Sequence, residues 1–367
     1  MRLVYLDVSN FRNLESVQLD TDSRFVVFWG ANAQGKTNLL EAIYALATLK
    51  GFRSRLNQEL VRWDAQTASV RGRIEDEGLV RKFEFSIDAR GRRVGVVDGK
   101  RPRDLSSYFQ GIRAVLFAPG DTRIIRGEPA LRRQFMDRAV FTARPAFLNL
   151  ARDYRRVLKQ RRLLLRQSGI DPLHLNTFDE QLVSLGSAIS LKRAEIISEL
   201  STHFRDLHAS VSGGEKAQLR YRSQLGDGDL ADRARRFREL LVSRRSEELR
   251  RGSNLVGPHR ADLEIQIGGK PARTFGSQGQ IRSSVLALKL SELLAARKRG
   301  SRLIFLLDDL SSELDAERTD RLLGLLSELD LQTFITTTDR DRLISLPEEA
   351  LRFLHVKAGG IPPEPNG

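Results

Sequence analysis

The chain of 367 residues contains no cysteine. Disulfides and thiolate metal sites are thereby excluded. Its five histidines are scattered along the chain. No apolar run approaches the length of a membrane span. The opening Met1-Arg2-Leu3-Val4-Tyr5-Leu6-Asp7 does not read as a secretory signal. A soluble, intracellular protein with no membrane association is the expectation. No internal repeat is apparent.

Acidic residues are also in deficit. Lys and Arg number 61 against 47 Asp and Glu, a net charge of +14. An excess of this size favours a polyanionic partner, most simply nucleic acid. An anionic membrane surface is the second reading, and an arginine-rich proteome the third. Hydrophobic residues make up 40% of the chain, enough for a large core and two domains or lobes.

The most informative stretch is Phe25-Val26-Val27-Phe28-Trp29 followed by Gly30-Ala31-Asn32-Ala33-Gln34-Gly35-Lys36-Thr37. Five apolar residues without alternation predict a strand buried on both faces. The glycine pattern after them is that of a phosphate-binding loop. Leu39 to Leu46 then predicts a helix. Glycines let successive backbone N–H groups curl around a phosphate, and the helix N-terminus adds positive partial charge there. Lys36 would reach the outer phosphates and the Thr37 hydroxyl would coordinate magnesium. Ala33 and Gln34 occupy positions where glycine is frequent, so a positive φ there carries a cost.

Around this core the pattern predicts strands at Leu3–Val8, Ser16–Leu19, 68–75, 79–88, 94–97 and 112–117. From about 128 to 250 it predicts helices rich in arginine. Phe178, Leu182, Leu185, Ile189, Ile196 and Leu200 fall on one face of a long helix. The segment 145–167 would pair with it and carries Arg152, Arg155, Arg156, Arg161 and Arg162. Those charges read either as a solvated face or as phosphate contacts. Strand character returns at 262–267, 303–307 and 333–337, with helices at 280–298 and 316–329. The Pro/Gly-rich tail from Gly359 to Gly367 is expected to be disordered.

Leu303 to Leu307 ends in Asp308-Asp309. Carboxylates at the end of a strand beside a phosphate loop can hold magnesium and orient an attacking water. Asp308 is assigned the metal and Asp309 the water. Gly276-Ser277-Gln278-Gly279-Gln280 opens a helix and reads as a second anion-binding turn or as an ordinary capped start.

Together these pieces resemble the ATP-binding-cassette class. The glycine loop looks like its Walker A motif, Asp308-Asp309 like the end of Walker B, Ser277 to Gln280 like the signature, and Ser312-Glu313-Leu314-Asp315 like the D-loop. Thr336-Thr337-Thr338 lie at the switch segment, without the histidine of transporter ATPases. Asp309 stands where a glutamate is usual, and no glutamine marks a Q-loop. Within the class the chain resembles the RecF family. The similar segments are Phe11-Arg12-Asn13, Gly30-Ala31-Asn32, Gly51-Phe52-Arg53-Ser54, Ala118-Pro119-Gly120-Asp121, Arg132-Arg133-Gln134-Phe135-Met136-Asp137 and Gly257-Pro258-His259-Arg260-Ala261-Asp262.

That resemblance implies an α/β fold, a P-loop ATPase head of the SMC type with an inserted helical lobe. The expected boundaries are 1–118 and 253–367 for the head and 119–252 for the lobe. It implies ATP and Mg2+ as cofactors, with Arg12 near the base. It also implies contact of Ser277, Gln278, Gly279, Gln280 and Asp315 with nucleotide across an ATP-dependent homodimer. Catalysis would rest on Lys36 and Asp309. It implies a bacterial cytoplasmic protein that binds double-stranded DNA at gaps or junctions, Arg53 among its contacts. It would work with RecO and RecR to load the recombinase RecA, with slow, DNA-stimulated ATPase activity. The competing readings are a transporter ATPase subunit, a structural SMC-like ATPase and a small-molecule kinase.

Overall fold

The computed structural model describes residues 1–53, 56–167, 169, 171–310, 315–343 and 345–362. It divides into two compact units. One comprises Met1–Asp121, Ser210–Gly214 and Arg282–Gly367; the other comprises Thr122–Ala209 and Glu215–Ile281.

The first unit holds two sheets. Strands β1 (Arg2–Phe11), β2 (Leu14–Asp20), β4 (Thr67–Asp76), β5 (Leu79–Asp88) and β6 (Arg93–Val97) form an antiparallel sheet in the order β2-β1-β4-β5-β6. Along β4, buried and exposed residues alternate, as expected when one face is solvated. Strands β3 (Phe25–Trp29), β7 (Ala114–Phe117), β11 (Ile304–Leu307), β12 (Gln332–Thr337) and β13 (Leu351–His355) form a parallel sheet in the order β13-β3-β12-β11-β7. Strands β7, β11 and β12 are buried throughout, the signature of a sheet covered on both faces. Helix α1 (Lys36–Thr48) buries residues on all sides and packs against both sheets. Helix α2 (Leu105–Gly111) lies between β6 and β7 in sequence.

Pairing in parallel register puts Trp29 opposite Thr337 and Leu307 opposite Ile335. The loops after β3, β12 and β11 therefore leave the same sheet edge side by side, the usual place for a ligand in such sheets. That is what brings residue 30 and residue 308 together.

The second unit contains α3 (Arg123–Arg126), α4 (Pro129–Ala143), α5 (Phe147–Leu164), most of α6 (Pro172–Ser212), and α7 (Leu230–Arg251). It also contains a small sheet in the order β10-β9-β8, made of β8 (Ala217–Arg222), β9 (Asp262–Ile267) and β10 (Lys270–Pro271). After it come α8 (Ala272–Phe275) and the start of α9 (Gln278–Lys298).

Three sequence expectations change here. The compact units divide at 281/282, not at 252/253, because β9 pairs along its whole length with β8, which lies inside the region read as largely helical. Strand β13 and helix α2 were not anticipated. The tail is ordered at its start: Lys357 and Gly360 form a bridge, and the Gly359 N–H donates to the Gln34 carbonyl at 2.8 Å. Residues 363–367 lie outside the described residues.

Several motifs behind the family resemblance prove to be the framework of the second unit. Buried Arg132 grips Asp262 with two bonds, at 2.6 and 2.9 Å, and donates to the carbonyls of Ile125 and Gly127. Tyr154 donates its hydroxyl to His259 Nδ1 at 2.8 Å, while His259 Nε2 faces the Asn254 carbonyl at 3.2 Å. Burial pushes the His259 imidazole down to about 4.

Candidate functional site

The loop between β3 and α1 takes the curled form that its glycines allow. Gly30 has φ 144° and Gly35 φ 111°. A Cβ on Gly30 would lie 2.6 Å from the Val356 carbonyl, so no larger residue fits there. Ala33 adopts φ 62°, at a cost of roughly 1 kcal/mol. Strain of this kind is characteristic of ligand-binding turns. Helix α1 starts at Gly35 with no side-chain cap, leaving its first amides facing the loop.

Lys36 is buried to 8% exposure, and its Nζ donates to the carbonyls of Gly30 and Ala31, both at 2.7 Å. Burial lowers its pKa, while Asp309 and Asp308 act in the opposite sense. The Thr37 hydroxyl donates to Asp308 Oδ1 at 2.8 Å, and so does the Thr336 hydroxyl, at 2.8 Å. Asp308 is 4% exposed. Burial raises its pKa, against the two hydroxyl bonds. The Asp309 N–H donates to Thr336 Oγ1 at 2.7 Å, and Asp309 itself has φ 55°. Lys36, Thr37, Asp308, Asp309 and Thr336 thus form one constellation. Hard oxygen donors on Thr37 and Asp308 beside a phosphate loop suit magnesium.

Arg12 also lies here. Its Nε donates to Glu41 Oε2 at 2.9 Å, and Glu41 is fully buried. The other carboxylate oxygen accepts the N–H groups of Phe52 and Arg53, each at 3.0 Å. Glu41 was not singled out in the sequence. Its signal was a single acid inside the apolar run Leu39-Leu40-Glu41-Ala42-Ile43. Arg53 donates to Asn38 Oδ1 at 3.3 Å and remains exposed. Gln34 faces the C-terminal segment: its Oε1 accepts the Ala358 N–H at 2.7 Å.

The remaining assignments are distributed elsewhere. Ser277 to Gln280 belong to the second unit. There the Ser277 N–H donates to Gln280 Oε1 at 2.9 Å, and the Gln280 N–H donates to Ser277 Oγ at 3.2 Å. That is a reciprocal capping box. Asp315 caps the helix Ala316–Glu328, accepting the Arg318 N–H at 2.9 Å. Ser312, Glu313 and Leu314 lie outside the described residues.

The arginines of α5 divide into two groups. Arg152, Arg155, Arg156 and Arg162 are exposed. Arg161 is fully buried, donating to Asp179 at 2.5 Å and to Asn254 and Glu248 at 2.7 Å. The expectation of a DNA contact is therefore corrected for Arg161. Its guanidinium ties α5 to α6 and α7 and has no face left for a phosphate.

The sequence profile described as "RecF/RecN/SMC N terminal domain" matches residues 2–360. A protein of Myxococcus xanthus called "DNA replication and repair protein RecF" is 40% identical over 98% of this chain and 97% of its own. A namesake from Geotalea uraniireducens is 39% identical over 92% of this chain and 93% of its own. A solved structure of the recombination mediator protein RecF-ATP in the RecFOR pathway superposes with a TM-score of 0.87 at 30% identity, covering 97% of this chain and 96% of its own. An SMC head bound to a winged-helix domain of ScpA superposes at 0.56 and 16% identity, covering 98% and 96%, a likeness of fold.

Proposed function

The chain belongs to the RecF family, and from that premise we propose that it is an ATP-dependent DNA-binding protein of replication and recombinational repair. The observation that carries this reading is the joint engagement of Asp308 by Thr37 and Thr336 beside the strained glycine loop. Such an arrangement is built for a nucleoside triphosphate. The solved relative named with ATP supports that choice of nucleotide.

In this reading the loop amides and Lys36 bind the phosphates. Thr37 and Asp308 would hold magnesium, which when bound neutralises charge on the phosphate oxygens. Asp309, its backbone fixed by Thr336, polarises the attacking water. Arg12, set by Glu41, approaches the nucleoside. Turnover is slow and serves as a switch. ATP closes two copies into a dimer through Ser277 to Gln280, and the dimer holds duplex DNA at gaps or junctions. The RecFOR pathway named for the solved relative supports RecO- and RecR-type partners and a role in RecA loading. Action in a bacterial cytoplasm accords with the family. Among the described residues no helix is long and apolar enough to cross a membrane.

The test is a titration of duplex, single-stranded and gapped DNA, with and without ATP. ATP should tighten binding to gapped duplex in the wild type. In Lys36→Met that increment should vanish along with ATP affinity measured by equilibrium dialysis. Wild-type DNA affinity that ignores ATP on all three substrates would remove the proposal.

A further inference from the structure

Four arginines converge on the turn from Gly257 to Asp262 in the second unit. Buried Arg132 of α4 takes both carboxylate oxygens of Asp262. Arg193 of α6, 5% exposed, donates to Asp137 at 2.8 Å and to the Pro258 carbonyl at 2.7 Å. Each of these acids is thus held by one buried arginine. The other two arginines meet only neutral oxygens. Arg133 Nη1 donates to the Ala261 carbonyl at 3.1 Å, and Arg260 Nη2 to the Asn254 carbonyl at 3.2 Å. Among the described residues no carboxylate pairs with either guanidinium.

Positive charges gathered on one turn repel each other and favour an anion. Burial lowers the Arg133 pKa; Arg193, Arg132 and Arg260 act in the same sense, and Asp262 opposes them. The guanidinium stays cationic nonetheless. His259, made neutral by burial, adds no charge. Arg133 is half-buried and Arg260 exposed, so the cluster is open on one side. Guanidiniums anchored by one carbonyl keep their other N–H groups for the paired oxygens of a phosphate. An open site holds a small free anion weakly. A polyanion gains from neighbouring contacts and from released counterions. Such contacts are at hand: His259 is bonded to Tyr154 of α5, the helix that carries exposed Arg152, Arg155, Arg156 and Arg162.

We propose that Arg133 and Arg260, backed by Arg132 and Arg193, bind a backbone phosphate of duplex DNA. The inference rests on the DNA-binding reading and adds a contact away from α5, on a turn whose other side chains serve the framework. A contact of this kind fixes the position of the duplex and carries no base sequence.

In the experiment, duplex DNA is titrated at several salt concentrations against the full-length wild type and a double variant, Arg133→Gln with Arg260→Gln. The variant should bind roughly tenfold or more weakly, as expected for lost hydrogen bonds to a charged group. Its log–log salt slope should be lower by about 0.9, for one phosphate. Its melting temperature should not fall, because both changes relieve repulsion around Arg132 and Arg193. A second measurement needs no variant. Phenylglyoxal modifies accessible arginines, and mass spectrometry locates them. Duplex DNA should protect Arg133 and Arg260, and inorganic phosphate at the same concentration of phosphate groups should not. Equal affinity and slope in variant and wild type would overturn the site, while salt-dependent binding by the wild type would spare the DNA reading. A loss of DNA binding matched by a loss of melting temperature would also overturn it, by making the two arginines structural. Protection by inorganic phosphate as complete as by DNA would assign the cluster to a small anion and overturn the proposal too. A wild type that binds no duplex at any salt would refute the reading and the site together.

Discussion

A buried carboxylate is stable in its charged form only where donors or cations surround it. Asp308 has two hydroxyl donors and still has its pKa raised by burial, which leaves it suited to a bound cation. Asp309 has a different setting, with its backbone anchored and its side chain assigned to the water. Asp309→Asn should keep ATP binding, since Asp308 is untouched, and slow hydrolysis by about a hundredfold or more. Phosphate release at the wild-type rate would end this assignment. His259 makes a second residue-scale case. With its pKa near 4 in the fold against 6.5 ordinarily, the unfolded chain takes up the proton first as pH falls. Stability should hold above pH 6.5 and fall between 6.5 and 4, by on the order of 3 kcal/mol at most. His259→Gln should be less stable at neutral pH but lose less between those values. Parallel melting-temperature profiles of variant and wild type would contradict the account.

At the scale of elements, α5 carries two kinds of arginine that the sequence could not separate. Spacing alone put Arg155, Arg156, Arg161 and Arg162 in one basic run. Burial depends on which helices pack against α5, and Arg161 faces acids from 18 and 87 residues away. Arg161→Ala should cost about 3–5 kcal/mol of stability, because fully buried Glu248 would lose its charge partner and Asp179 would keep only Arg245. Replacing Arg155, Arg156 and Arg162 with Ala should leave the melting temperature nearly unchanged. It should lower the log–log salt slope of DNA binding by about 0.9 for each phosphate that is no longer neutralised. An unaltered slope would identify these three as a solvated face. The same contrast explains what was legible. Strand β3, the glycine loop and α1 were readable because their signals are local and contiguous. Asp308 was readable because an acid follows an apolar strand. The turn at Val356 to Gly360 acts on the loop across a long sequence separation, and Glu41 joins Arg12 to Phe52 and Arg53; no local pattern encodes either. The β8–β9 pairing was hidden for the same reason: Ala217 to Arg222 is short and polar on alternate residues, and its partner lies some forty residues on.

The coupling of nucleotide to DNA binding that we propose belongs to the scale of the whole molecule, and Ser277 is the residue to test it. In this chain Ser277 and Gln280 cap α9 reciprocally, with Gln280 Nε2 also donating to Glu215 at 2.8 Å. A capping box gives a rigid helix start with its remaining amides directed outward, and such a start attracts an anion. Lys36 and the glycine loop belong to the first unit and Ser277 to the second. Monomer ATP affinity therefore rests on residues that a change at Ser277 leaves in place. If nucleotide is the bridge of a two-fold dimer, the Ser277 turn of one copy closes on the phosphates held by the other. Ser277→Arg should leave monomer ATP affinity nearly intact and block ATP-induced dimerisation, with hydrolysis and ATP-stimulated DNA binding lost in step. The substitution also removes a cap worth about 1 kcal/mol, so a second variant is needed to separate the effects. Ser277→Thr keeps the hydroxyl and the cap and should dimerise as wild type does. Light scattering with ATP and magnesium decides between them. Normal dimerisation of Ser277→Arg would reduce this turn to a helix cap and leave the dimer to another surface.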